Sequence, residues 1–232
     1  MPTSVLELSV FYVLVFAVIW AGQLLAFRPP AALAAALILG ACLSSNRRHG
    51  DSLEKIGLSP AWLKPCARLT LKTLALPLLG LILWAAARPL PTMSRLLYGA
   101  AGVPAGLAAW PWPVVLFLGL LRYPLWAFAQ EYALLSFMAN RWRDVLGERP
   151  WAIAAVNGVL FALVHAPNPL LMTVCLVGGI AFTRIFLKTP HLVPPALAHA
   201  AVGLSLSLIY RDFYPAMMVG PAYFRYGGTW GH

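Results

Sequence analysis

The sequence predicts an all-α, polytopic transmembrane helix bundle of about seven spans, organised as a single integral membrane domain over residues 1–232. Three observations carry that prediction. Hydrophobic residues make up 61% of the chain and charged residues only 10%, against roughly 45–50% and about 25% in an ordinary soluble domain. Mean hydropathy is +0.77, which excludes disorder and leaves too little polar surface to cover a soluble globule. The apolar residues fall into runs of about 20, the length that crosses a bilayer.

The runs follow in order. Residues 4–27 form the first span, with Glu7 near its start at the interface. MPTSVLELSV has no Lys or Arg, so it lacks the charged start of a signal peptide and the run is expected to be a retained helix. Arg28-Pro29-Pro30 turns the chain into a short second span, 31–45. Residues 46–66 are the only sustained polar stretch and read as an extramembrane loop with a short interfacial helix. Residues 67–87 form the third span, with Lys72 snorkelling to the near interface. The Pro- and Gly-rich 88–111 is a loop that partly re-enters. Then come 112–139, a charged turn from Arg141 to Arg149, and spans over 151–166, 169–187 and 190–210. The tail 211–232, rich in Tyr, Phe and Gly, suits an interface.

The net charge of +10 comes from 17 Lys+Arg against 7 Asp+Glu. Those cations sit between apolar runs, which argues for membrane topology and against a nucleic-acid partner. With the N-terminus inside, cytoplasmic loops hold Arg47, Arg48, Lys55, Lys64, Arg68, Arg141, Arg143, Arg149, Arg184 and Lys188. The opposite side holds Arg28, Arg88, Arg95, Arg211 and Arg225. Ten against five favours a cytoplasmic membrane protein with its N-terminus inside and C-terminus outside. Cys42, Cys66 and Cys175 are odd in number, far apart and without a CxxC spacing, so they read as packing thiols.

An ionisable side chain in hydrocarbon costs several kcal/mol and marks a functional site by default. Few lie deep. Glu131 is ten residues before Arg141, so roughly 15 Å in at 1.5 Å per residue. His199 is eleven residues past Lys188, roughly 16 Å deep, and His165 sixteen past Arg149, roughly 24 Å or less with tilt. One carboxylate and two imidazoles from three helices fit a buried hydrolytic site: a base to activate water and donors for the oxyanion. The bland alternatives are interhelical hydrogen bonds for the histidines and a proton relay for the glutamate. Arg122 lies about 180° round the helix from Glu131 and braces another helix or snorkels. His49 and His232 read as solvent-side and inert, and His191 as a loop residue. Glu131 with the two histidines is also a possible zinc set, but no HExxH pairing supports a metal, and water activated by glutamate without a cofactor is preferred.

Three blocks in this order resemble the CPBP family of intramembrane proteases, also called the CAAX-protease and bacteriocin-processing (Abi) family. The family pattern is a Glu-Glu pair followed by xxxR, then FxxxH, then a His with Asn four residues on. Here they are Gln130-Glu131-Tyr132-Ala133-Leu134-Leu135, Phe161 to His165, and His199 to Gly203, within a core of about 112–210. Gln130 replaces the first Glu, Leu135 the Arg and Gly203 the Asn, so this is a divergent member with QE in place of EE. In FxxxH, positions i and i+4 share a face, so Phe161 walls the cavity that His165 enters. Asn157, one turn back, either supports the site or glues helices together. Pro167 ends the helix and frees carbonyls near the site. Asn168 is a turn residue or lines the site.

The expected activity is that of an intramembrane endopeptidase. Glu131 would activate water, and His165 and His199 would position it and stabilise the oxyanion, with Gln130, Asn157, Phe161 and Asn168 in support. The resemblance implies membrane-associated peptide or protein substrates, lipidated ones among them, and the bilayer as partner. Two rivals stand beside it: a catalytically silent relative that binds membrane partners, and a small proton-coupled transporter.

Overall fold

The computed structural model describes residues 3–21, 31–87, 111–209 and 218–227. Among these the chain is helical, with no strand. Helix α1 (Thr3–Phe16) runs into a π turn, Ala17–Ala21. Helix α2 spans Ala31–Arg48, a 3-10 turn Pro60–Trp62, and α3 Leu63–Ala86. Helix α4 (Trp112–Glu131) passes without a break into a π-helical segment, Tyr132–Ala139, and then into α5 (Asn140–Leu146). Helices α6 (Pro150–Leu163), α7 (Pro169–Lys188), α8 (Val193–Ile209) and the short α9 (Pro221–Gly227) follow. The end of the expected first span (22–27), the expected Arg28-Pro29-Pro30 turn, residues 88–110 of the expected loop and most of the tail lie outside the described residues.

Among the described residues three helical stretches are long and apolar enough to cross a membrane: Thr3–Trp20, Pro60–Trp84 and Pro169–Lys188. One expected span is shorter than its apolar run suggested. Helix α6 has 14 residues, about 21 Å, against a hydrocarbon core of about 30 Å. It stops at Leu163 because Pro167 offers no donor, and the chain tightens through His165 N to Ala162 O (2.9 Å) and Ala166 N to Leu163 O (3.0 Å). Helix α8 has 17 residues. The charged turn expected at 141–149 is instead helical to Leu146, and only Gly147, at φ +67°, breaks the chain toward α6.

Outer faces of α1 to α3 carry Val13, Leu37, Leu71, Leu76 and Leu83 exposed, as lipid-facing residues are. The π segment is the opposite, with Leu134, Leu135, Ser136, Phe137, Met138 and Ala139 all buried. Phe137 meets the Phe11 ring at 5.1 Å. All three cysteines are free and buried. Lipid supplies no hydrophobic drive between helices, so close approach of small residues must supply the packing. Helices α6 and α7 meet this way: a Cβ on Gly158 would stand 2.6 Å from Ile180 Cγ1 and 2.9 Å from the Leu176 carbonyl oxygen. Gly158→Ala is therefore expected to cost about 1–3 kcal/mol, because the backbone oxygen cannot step aside. A melting curve in detergent checks this, and an unchanged midpoint would refute it.

On the loop side a polar cluster locks the first helices to α5. Arg141, fully buried, bonds Asp51 and reaches Asp144 at 2.8 Å. Ser4 bonds Asp144 at 3.1 Å, and Glu7 takes Ser45 at 2.7 Å, Arg48 at 2.9 Å and His49 at 3.1 Å. Arg141 is thus no solvated loop cation, Glu7 no lone interfacial acid, and His49 no idle surface residue. His191 is also buried, accepting from Val193 N at the start of α8. Burial holds its imidazole below the ordinary pKa, in keeping with an unprotonated Nδ1.

Candidate active site

Helix α4 changes pitch immediately after Glu131, where the π segment begins. A π turn widens the helix and misplaces backbone carbonyls, and such turns recur at functional sites. Two asparagines hold this one in place. Asn157 Nδ2 donates to the Leu134 carbonyl (2.8 Å) and to Thr183 Oγ1 (2.9 Å). Asn46 Nδ2 donates to Tyr132 Oη (2.9 Å) and Ser136 Oγ (3.0 Å). Asn157 is therefore the helix-to-helix glue, one turn behind Phe161. Asn157→Leu is expected to cost about 1–3 kcal/mol, because it leaves buried acceptors without a donor; equal thermal stability in the two proteins would count against that role.

Glu131 is fully buried. Its Oε1 lies 2.7 Å from His199 Nδ1, joining α4 to α8. Its Oε2 is buried and has no hydrogen-bond partner among the described residues. His199 keeps 14% of its side chain exposed, so the pair is open on the imidazole side. His165 sits on the turn after α6, its Nδ1 2.8 Å from the Phe161 carbonyl oxygen. A carbonyl only accepts, so Nδ1 carries the proton and Nε2 of the neutral ring is a free acceptor. The Phe161 ring stands edge-on to both imidazoles, 5.0 Å from His165 and 6.0 Å from His199. Phe182 stacks on His199 at 6.2 Å.

The three expected residues thus meet unequally. Glu131 and His199 are in direct contact, while His165 joins them across Phe161. Gln130 is partly buried and makes no hydrogen bond among the described residues, so it is not seen as a donor to Glu131. Asn168 is buried and caps α7, its Oδ1 accepting from Leu171 N at 3.1 Å and its Nδ2 donating to the Met218 carbonyl at 3.1 Å. The carbonyls expected to be freed by Pro167 are taken up: His165 O accepts Asn168 N, and Ala166 O accepts Gly220 N. The Arg122 side chain lies outside the described residues. An open hollow of about 300 Å³ lies elsewhere, on the loop side between Lys55, Asn140, Arg143 and Phe186, and touches none of the three. Among the described residues no three His, Cys, Asp or Glu side chains group as a metal-ligating set.

Sequence reasoning missed Asn46, Tyr132, Ser136 and Thr183. Tyr132, Ser136 and Thr183 are polar or phenolic residues in apolar runs, a pattern that helix packing alone also produces, and Asn46 opens the polar stretch 46–66 and so read as part of a loop.

Bundle and buried acid together define a polytopic, all-α membrane protein. Residues 108–205 match the family model of Rce1-like proteins, described as type II CAAX prenyl endopeptidases. That segment is similar to the CPBP, or CAAX-protease, family, a likeness that favours a CAAX-type endopeptidase in general terms. No curated protein and no solved structure matches the chain.

Proposed function

We propose that this protein is an intramembrane endopeptidase that uses a water activated by Glu131. The observation that carries the reading is the Glu131 carboxylate: fully buried, tied through one oxygen to His199 and unpartnered at the other, inside the family-matched segment. A buried carboxylate with a free lone pair is a strong acceptor in a low-dielectric site. Water bound there gives its proton to Oε2 as its oxygen adds to the peptide carbonyl carbon, and the carbonyl π pair moves onto oxygen. Collapse of that adduct breaks the C–N bond, and the same proton passes to the leaving amine. His199, held by Glu131 through Nδ1, presents Nε2 toward the partly open side, and His165 presents its own Nε2 across Phe161. Those two nitrogens accept hydrogen bonds from the water and so position it. The reaction needs no cofactor.

Substrates are proposed to be membrane-associated proteins or peptides, with prenylated tails the first class to try. The excess of basic residues at 46–68 and 141–149 supports an N-inside orientation in the cytoplasmic membrane. Comparative membrane proteomics of cells carrying the wild type or Glu131→Ala tests the activity. Accumulation of uncleaved proteins in the variant supports it. Identical proteomes, with the variant inserted at equal level, would favour a silent relative that only binds membrane partners.

A further inference from the structure

Gly203 stands one turn after His199 on the same face of α8, and it leaves room for another helix's side chain. A Cβ on Gly203 would stand 2.6 Å from Cζ and 2.8 Å from Cε1 of Tyr123, and would overlap the phenol oxygen. The Tyr123 hydroxyl therefore rests against the α8 backbone at the one place where that helix lacks a side chain. Tyr123 comes from α4, the helix that carries Glu131 and packs along α8. It is only partly buried, and its hydroxyl makes no hydrogen bond among the described residues.

We propose that the Tyr123 hydroxyl is a catalytic donor of this site, giving its hydrogen bond to the oxyanion formed when water adds to the peptide carbonyl. Gly203 is small so that the phenol can reach that place. The inference rests on the endopeptidase reading and adds a residue to it. His199 and Gly203 are separated by one turn, about 6 Å along α8, and a peptide unit is about 3.8 Å from Cα to Cα. A scissile peptide lying in the α4–α8 seam thus meets the Glu131–His199 pair at one end and the phenol at the other. A phenol is a neutral donor that needs no counter-charge in lipid, and an amide on residue 203 would offer the same hydrogen bond from the opposite wall. The step moves no proton from Tyr123: its O–H stays intact while the oxyanion forms and collapses.

Mapping of cleaved membrane-protein termini in cells tests this with four variants beside wild type. Tyr123→Phe keeps the ring and removes only the oxygen, so its melting point should equal wild type while cleavage falls about 10²–10³-fold, the usual loss for one oxyanion donor. A packing role would leave both unchanged. Tyr123→Ala alone should also be silent, and the double variant Tyr123→Ala/Gly203→Asn should recover cleavage by supplying an amide from α8. Should Glu131→Gln abolish cleavage while Tyr123→Phe cleaves like wild type, the tyrosine assignment falls and the endopeptidase reading stands. Should Glu131→Gln itself cleave like wild type, both fall together.

Discussion

Glu131→Gln is expected to lower the rate of peptide cleavage by about 10²–10⁴-fold, the usual contribution of a positioned general base, while leaving the fold intact. The substitution is nearly isosteric. It keeps an oxygen for His199 Nδ1 at the 2.7 Å contact, and it removes the charge proposed to take the water's proton. Stability should change little. The carboxylate pays for its burial only through one hydrogen bond, so a neutral amide in its place loses an interaction but sheds a desolvation penalty of opposite sign. Initial rates on a prenylated peptide in proteoliposomes, read beside a melting curve, separate the two quantities. A variant that melts like wild type and cleaves within tenfold of it would remove Glu131 from the mechanism. His199→Ala should behave differently, losing both cleavage and stability, because it strands a fully buried carboxylate with no partner at either oxygen.

The acid and two imidazoles were legible because charge in an apolar run is costly enough to be conspicuous. Depth counting brought Glu131 and His199 to the same level, and they touch. It set His165 deeper, and His165 reaches them only across Phe161. What the residues did not encode was angular position. YALLSFMA, residues 132–139, reads as any apolar helix, and nothing in it announces a π turn. Yet that turn begins beside Glu131 and is held by Asn157 and Asn46, from two other helices. Gly203 read only as a missing Asn, and nothing in the sequence pointed to its neighbour, the Tyr123 phenol, which arrives from a segment eighty residues earlier. Helix α6 was overestimated for a related reason: apolar residues continue to Ala166, but hydrogen bonding fails ahead of a proline, and hydropathy does not register that. Arg141 shows the same limit in charge. Beside Arg143 and Arg149 it counts as a loop cation, and only the folded chain brings Asp51 and Asp144 to it.

That burial makes Arg141 the position outside the site where substitution should do most harm. Arg141→Met is expected to lower stability by about 3–5 kcal/mol, the cost of removing one member of a buried ion pair. Its side chain and that of Asp51 are both fully buried, and its guanidinium also donates to Asn46 Oδ1 at 3.3 Å. Without it, Asp51 keeps Lys55 at 2.7 Å, which softens the loss but comes from a side chain 31% exposed. Asp144 keeps Ser4 and loses its shortest partner. The consequence reaches the candidate site through the chain itself, since α5 continues the π segment and Asn46 serves both Arg141 and Tyr132. Replacing the pair together, Arg141→Met with Asp51→Leu, removes both charges and should recover most of the loss, so the two substitutions are non-additive by about 2 kcal/mol or more in a double-mutant cycle. Melting of the four proteins in one detergent measures it. If Arg141→Met alone melts within about 0.5 kcal/mol of wild type, as an ordinary surface substitution would, the cluster is not what locks α1, α2 and the 46–62 loop against α5.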